Sequence, residues 1–264
     1  GGAACSCGGA AGVTAVAGYA ASNNQSATAA TTATAYGQFS LSASAETPVI
    51  TGSTLSVSDN TQQAAAEANL ATTTLTVAAG NSNGGSAALV NNQIASGGAT
   101  ANSGSLGDTP TLGQSIQAPG AISGGSSLAM SGNSNSALGV GNDATNTLTA
   151  SATNLTTASA TPTNASATLA GGTTSALADY ALTSVQSASG APVSASANTT
   201  ILNNDSLNTT TSGLANSAVA INNNSTTANA VANRASNALN LSGTNASATG
   251  AVAAVARRRF DLVL

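Results

Sequence analysis

The sequence predicts an all-β chain, a single β-solenoid (β-helix) of roughly twenty-residue rungs with Asn-rich turns. Three observations carry that expectation. The composition is too poor in large side chains for a thick core. One 27-residue pattern occurs three times without a gap, and small or aliphatic residues alternate with polar ones at period two.

Charged residues make up 5 % of the 264-residue chain and aromatics 2 %, where a soluble domain normally carries about a quarter charged residues. Lys, His and Trp are absent, and most of the 41 % hydrophobic fraction is Ala. A thick core needs side chains that each bury a large apolar area, so the expectation is a thin core in which small residues let sheets approach closely. Disorder is the competing reading. Disordered chains combine low hydrophobicity with high net charge and much Pro, whereas this chain has a net charge of −4, five Pro and a mean hydropathy of +0.13. An uncharged, Asn-rich chain lacks that repulsion and tends to stack as ordered β-structure.

The repeated pattern runs from Leu55 to Asn81, from Leu128 to Asn154 and from Val219 to Asn245. Asn recurs at 60, 133 and 224, at 69, 142 and 233, and at 81, 154 and 245. An aliphatic residue opens each copy (Leu55, Leu128, Val219), with another two places on at Val57, Met130 and Ile221. Leu75, Leu148 and Leu239 match, as do Ala71, Ala144 and Ala235. Within the copies there is an echo at twenty residues: Leu55 and Val57 return as Leu75 and Val77, and Val219 and Ile221 as Leu239 and Leu241. A further likeness joins SAALVNNQIASGGATA, which contains Gln93, to ADYALTSVQSASGAPVSA, which contains Gln186.

Period-two alternation, as at Ala64, Ala66 and Ala68, is the strand signal. Asn, Gly, Ser and Asp at the breaks suit turns that need positive φ or side-chain-to-backbone bonds. Stacked rungs would set Leu55, Val57, Leu75, Val77, Leu128, Met130, Leu148, Val219, Ile221, Leu239 and Leu241 in a narrow interior. They would also align Asn60, Asn69, Asn81, Asn133, Asn142, Asn154, Asn224, Asn233 and Asn245 into ladders, each amide donating to one neighbour and accepting from the other. About a dozen rungs at ~4.8 Å each would give a rod roughly 60 Å long. Helix has one good local case, QQAAAEA around Ala65, but β-branched Thr, Asn, Ser and 28 Gly depress helix propensity elsewhere.

The pattern divides the chain into a Gly-rich leader (1–11), a repetitive body (12–255) and a basic, apolar tail (256–264). Cys5 and Cys7, two apart in the leader, are poorly placed to close on each other. An intermolecular bridge or tether is the functional reading, and incidental thiols the bland one. The chain begins at Gly1 rather than Met, which fits removal of a signal segment, and it contains no run of 18 apolar residues for a transmembrane segment. The tail, RRRFDLVL, holds Arg257, Arg258, Arg259 and Phe260; it reads either as a docking segment or as a cap over the last rung.

The chain offers catalysis little. Without His or Lys there is no Ser–His pair and no Schiff-base lysine, so the expectation is a protein that is not an enzyme, with no cofactor and no metal. The acidic residues are scattered; Asp59, Asp143 and Asp205 fall where turns are expected and could offer calcium oxygens, but turn residues bonding their own backbone account for them. Up to Ala256 the chain carries one positive and seven negative charges, which argues against nucleic acid as a partner of the body. Thr72, Thr73, Thr74 and the TTATA run from Thr31 raise an ice-binding face, although the threonines do not recur at every rung in the sequence.

The segment Gly132–Asn154, GNSNSALGVGNDATNTLTASATN, resembles the repetitive surface proteins that anchor the adhesive holdfast of stalked alphaproteobacteria. More loosely, the Asn/Gln/Ala repetition is similar to functional-amyloid, curli-like fibre subunits. The resemblance implies β-helical fibres, adhesion and secretion to the cell surface. The functional expectation is therefore an extracellular structural protein, a self-assembling fibre subunit or adhesin anchor. Its partners would be copies of itself, head to tail, or cell-surface polysaccharide or an outer-membrane anchor. The alternative is a monomeric solenoid presenting a polar face to polysaccharide or ice.

Overall fold

The computed structural model describes residues 5–8, 13–35, 39–42, 50–83, 86–103, 114–117, 122–156, 163–169, 172–197, 201–202, 216–247 and 252–260. Every regular element among them is a strand. A first hairpin, β1 (Cys5–Gly8) and β2 (Val13–Ala17), leads into a chain path that is then followed three times. The first pass comprises β3 (Tyr19–Ala27), β4 (Thr31–Ala35), β5 (Phe39–Ser42), β6 (Ile50–Thr51), β7 (Thr54–Ser58), β8 (Thr61–Ala78) and β9 (Ser82–Asn83). The second comprises β10 (Ala87–Ala95), β11 (Ala99–Ser103), β12 (Gln114–Gln117), β13 (Ile122–Ser123), β14 (Ser127–Ser131), β15 (Ser134–Ser151) and β16 (Asn154–Thr156). A second hairpin, β17 (Thr163–Leu169) and β18 (Gly172–Ala178), separates it from the third pass. That pass comprises β19 (Tyr180–Ala188), β20 (Val193–Ala197), β21 (Ile201–Leu202), β22 (Ala218–Asn222), β23 (Ser225–Ser242) and β24 (Asn245–Ser247), after which β25 (Val252–Phe260) begins a fourth level.

Each pass lays its strands parallel on those of the pass before, giving sheets β3–β10–β19–β25, β4–β11–β20, β5–β12–β21, β6–β13, β7–β14–β22, β8–β15–β23 and β9–β16–β24. The architecture is therefore all-β, parallel and stacked. Residues two passes apart in this sense never pair; neighbours do, and they lie far apart in sequence. Asn91 stands beside Asn23, 68 residues away, and Ser194 beside Thr100, 94 away. No pairing among the described residues joins positions twenty apart. The twenty-residue echo relates two strands of one level: Leu55 in β7 stacks on Leu128 and Val219, while Leu75 in β8 stacks on Leu148 and Leu239. Four levels at ~4.8 Å give a stack roughly 15 Å high, not the roughly 60 Å of a dozen rungs.

The 18-residue strands β8, β15 and β23 pass a corner. Their pairing skips Ala68, Gly141 and Ala232, and the buried face changes phase there, from Ala64 and Ala66 to Asn69 and Ala71. Before the corner the strands face β4, β11 and β20 across an alanine core of Ala64, Ala66, Ala99, Ala101 and Ala137. Gly139 shows how thin that layer is, because a Cβ there would run into the Ser194 carbonyl. After the corner Val77, Leu148 and Leu155 pack against Leu89, Tyr180 and Leu182. The residues of QQAAAEA lie inside β8: a short isolated helix is marginal in water, and here the segment finds a full-length partner in β15.

The two hairpins form their own antiparallel sheet, β1–β2–β17–β18. Its Ala15, Ala17, Ala176 and Ala178 cover Ala88, Val90, Ala181 and Val185. Strands β10 and β19 are consequently buried on both faces, and their unbroken AALV and YALT openings read as covered parallel strands do.

Candidate functional site

Two kinds of feature could carry function: amide ladders inside the stack, and strand edges at its ends. The ladders begin at the turn between β7 and β8. Asp59 (φ 58°), Gly132 (φ 69°) and Asn223 (φ 54°) sit one above another in the left-handed region, which Gly enters freely and Asn and Asp tolerate. The residue after each is a ladder Asn. Asn60 Nδ2 donates to Asn133 Oδ1 (2.9 Å), and Asn133 Nδ2 donates to Asn224 Oδ1 (3.0 Å). The same oxygens accept the backbone N–H of Asn60 and Asn133, at 3.1 and 2.9 Å. Asn133 and Asn224 also donate to the Val57 and Met130 carbonyls, 3.0 Å in each case.

The second ladder is interior. Asn69 Nδ2 donates to Asn142 Oδ1 (2.7 Å), and Asn142 Nδ2 to Asn233 Oδ1 (2.6 Å). Their remaining hydrogens cross to the facing sheet, from Asn69 to the Ile94 carbonyl and from Asn142 to that of Ser187, both at 2.8 Å. A third ladder answers it from that sheet. Gln186 Nε2 donates to Gln93 Oε1 (2.8 Å) and Gln93 Nε2 to Gln25 Oε1 (2.7 Å). Gln25, Gln93 and Gln186 also reach the carbonyls of Leu70, Asp143 and Arg234. The Asn donors point from earlier to later passes and the Gln donors the other way, so the two rows of amide dipoles oppose each other. Together they bolt two sheets through backbone carbonyls that would otherwise be buried in a thin apolar layer.

The third predicted row holds only in part. Asn245 Nδ2 donates to Asn154 Oδ1 (2.8 Å), but Asn154 pairs with Ser82 rather than Asn81. The register slips by one residue after β8, and Asn81 contributes its main-chain oxygen to the Asn154 N–H (2.7 Å) in place of a side-chain rung. A pair that the sequence analysis did not single out, Asn146 to Asn237 (2.8 Å), lies inside β15 and β23. Its signal was present, since both residues occupy the same place in their copies; Thr73 in the first copy hid it.

Among the aliphatic positions, Val77, Leu128, Met130 and Leu148 are buried, while Leu55, Val57, Leu75, Ile221, Leu239 and Leu241 are half-buried in the outer passes. Val219 takes its register place beside Leu128. Cys5 and Cys7 lie on β1 opposite Ala17 and Ala15. Arg257, Arg258, Arg259 and Phe260 lie on β25, over Val185, Gln186, Ser187 and Ala188.

The charged residues do not converge. Asp143 stacks on Leu70 and ion-pairs with Arg234 above it, and this hydrogen bond, then the carboxylate's charge, holds the Arg234 proton more tightly than usual. Asp59 lies at a different turn, in the Asp59–Gly132–Asn223 column. Asn204 and Asp205 fall outside the described residues. Among the described residues no group of three His, Cys, Asp or Glu is placed to hold a metal ion, and no helix is long and apolar enough to cross a membrane. Tyr180 is fully buried and its hydroxyl has no hydrogen-bond partner among the described residues; burial, then the nearby Asp179, pushes its pKa up.

The chain matches no family model, no curated protein and no solved structure. The outer strands of the stack differ from the rest in how they are paired. Among the described residues strand β8 is paired on one side only, with β15, and β23 likewise has β15 alone. Each is an 18-residue strand with one edge unpaired among the described residues, of the kind that templates pairing with another chain.

Proposed function

We propose that this chain is an extracellular structural protein that associates with copies of itself through the ends of its stack, as a building block of a surface fibre or adhesin anchor. The observation that carries the reading is the pair of 18-residue edges left unpaired among the described residues, on a body whose interior is hydrogen-bonded through amide ladders. The same reading takes each pass as one closed solenoid coil of roughly 70 to 90 residues, in keeping with the separations of paired strands. The extracellular setting rests on the resemblance of Gly132–Asn154 to holdfast-anchoring surface proteins. Sedimentation and negative-stain electron microscopy across a concentration series test it. Particles larger than one chain are expected, and a monodisperse monomer at every concentration refutes it.

A second reading, a module that binds ice, is favoured by one specific observation. Thr72, Thr74 and Thr76 stack in register under Thr145, Thr147 and Thr149 on the outer face of β8 and β15. The regularity that the linear sequence conceals is thus present over two passes, though Ser236, Ala238 and Asn240 replace it in the third. Thr74→Tyr with Thr147→Tyr would abolish ice-growth inhibition with the fold intact; equal inhibition, or none in the parent protein, removes this reading.

A further inference from the structure

One place inside the stack leaves hydrogen-bonding groups unspent. Strands β10 and β15 face each other in opposite senses: Gln93 Nε2 donates to the Asp143 carbonyl (2.8 Å), and Leu89 packs in one cluster with Leu148. Side chains two places apart share a face of a strand. Asn91, between Leu89 and Gln93, therefore faces the part of β15 between Asp143 and Leu148, where Asn146 is turned inward. A hydrogen bond confirms the match. Asn146 Nδ2 donates to Ser184 Oγ (3.2 Å), and Ser184 is the register partner of Asn91 on β19. Asn91 and Asn146 are 0 % exposed and Ser184 is 1 % exposed.

Both amides are half used. Asn91 Oδ1 accepts from Asn23 Nδ2 (2.6 Å), yet Asn91 Nδ2 has no hydrogen-bond partner among the described residues. Asn146 Nδ2 gives its hydrogens to Ser184 and to Asn237 Oδ1 (2.8 Å), yet Asn146 Oδ1 likewise has no partner among them. An unused donor and an unused acceptor thus face each other across the interior without bonding directly. Leaving such groups unpaired costs more than a made hydrogen bond contributes, and buried amides in folded proteins find a partner in protein or water. The break begins at Thr73, which holds the first-pass place in the column of Asn146 and Asn237. In the column beside it that place belongs to Asn69, whose Nδ2 donates to Asn142 Oδ1 at 2.7 Å. Threonine carries its hydroxyl on Cβ, nearer the main chain than an asparagine amide, and does not bond Asn146 Oδ1.

We propose that Asn91 and Asn146 hold one buried water molecule between them, beside the hydroxyls of Ser184 and Thr73. This internal hydration site completes the amide column where Thr73 interrupts it. A buried water needs about two to four polar partners. Here Asn91 Nδ2 donates to it, Asn146 Oδ1 accepts from it, and the two hydroxyls can do either. A cation does not suit the place, because Asn91 presents N–H groups to it. The site ties the first pass to the second inside the stack and is independent of how copies associate.

The test is NMR of the isotope-labelled protein, reading cross-relaxation between water and the Asn91 side-chain amide, whose signals are assigned by their loss in Asn91→Ala. Fold is read by far-UV circular dichroism and stability by urea unfolding. The parent should give cross-peaks of the sign produced by a water that stays longer than the protein tumbles. Thr73→Asn extends the column, its amide donating to Asn146 Oδ1 as Asn69 donates to Asn142. The cross-peaks should then vanish, with the urea midpoint unchanged or raised. Thr73→Val keeps the volume and deletes one hydroxyl, so weaker cross-peaks and a lower midpoint are expected with an unchanged spectrum. A parent without cross-peaks, or with a direct Asn91–Asn146 hydrogen bond in a crystal structure, overturns the site. Cross-peaks of parent strength in folded Thr73→Asn or in Thr73→Val overturn the role given to Thr73. If Thr73→Asn does not fold, the parent and Thr73→Val decide the matter.

Discussion

Replacing Asn142 with Ala removes a side chain that, like Gln93 on the facing sheet, bridges all three passes and crosses between the two sheets. It is fully buried, accepts from Asn69 at 2.7 Å, and donates to Asn233 at 2.6 Å and to the Ser187 carbonyl at 2.8 Å. Three net hydrogen bonds at about 1 kcal/mol each give a loss of about 3 kcal/mol. Asn69 keeps its bond to Ile94, which limits the damage. The assay is urea unfolding followed by circular dichroism, with Asn240→Ala, on the exposed face of β23, as a control expected within about 0.5 kcal/mol. Asn142→Asp adds a sign test. An ionised carboxylate would face the Ser187 and Asn233 oxygens with no hydrogen to give, so its folded pKa should lie above the unfolded value of about 3.9. A raised folded pKa means stability that is present below the unfolded pKa and lost as pH rises through the folded one. The Asp variant should therefore match or fall below Ala at pH 7 and recover toward pH 4. A loss under about 1 kcal/mol for Asn142→Ala, or an Asp variant insensitive to pH, would refute the claim that the ladder holds the sheets together.

Tyr180→Phe deletes a buried hydroxyl that has no partner among the described residues and should leave stability unchanged or raise it by up to about 1 kcal/mol. Because burial raises the Tyr180 pKa, its part of the stability is complete below about pH 10 and lost as pH climbs through the folded value; the Phe variant should lose less between neutral pH and pH 11 in thermal melts. Gly139→Val drives a side chain into the Ser194 carbonyl and should cost at least about 2 kcal/mol by urea unfolding, with an unchanged midpoint counting against the close approach. Arg234→Ala removes an ion pair that is half exposed on the Arg side and should cost only about 0.5 kcal/mol, less in high salt.

The strand class and the stacking columns were legible because the three copies keep one length through β7 and β8, so gapless alignment and spatial register coincide from Leu55 to Ala78. Legibility ended where register and alignment part, at Asn81, where Asn154 slips onto Ser82. Rung length was misread because Leu55 and Leu75 share a spacing and a residue type with their neighbours of the same level, and periodicity alone does not say whether an echo runs along a pass or between passes. The Gln ladder was half read: the likeness of the Gln93 and Gln186 segments is the β10–β19 pairing, while Gln25 lies in YAASNNQSA, whose shared Asn-Asn-Gln with AALVNNQIA carried the same signal and went unused. The hairpin sheet left no signal, since Ala15, Ala17, Ala176 and Ala178 are ordinary residues in a chain this rich in alanine.

A chain so short of large side chains stays folded by making each pass the cover of the next, and the burial pattern follows from that. Leu148 in the middle pass is fully buried, whereas Leu75 below it and Leu239 above it are only partly so. Asn142 likewise spends both its hydrogens and its oxygen inside the stack, while among the described residues Asn69 has no pass beneath it. Among the described residues the middle pass is thus the one with neighbours on both sides along most of its strands, and about three repeats is the fewest for which such a pass exists. The outer passes carry the same residue pattern without the same burial. That unmet half of the pattern is the physical ground for the proposed self-association through the unpaired edges of β8 and β23.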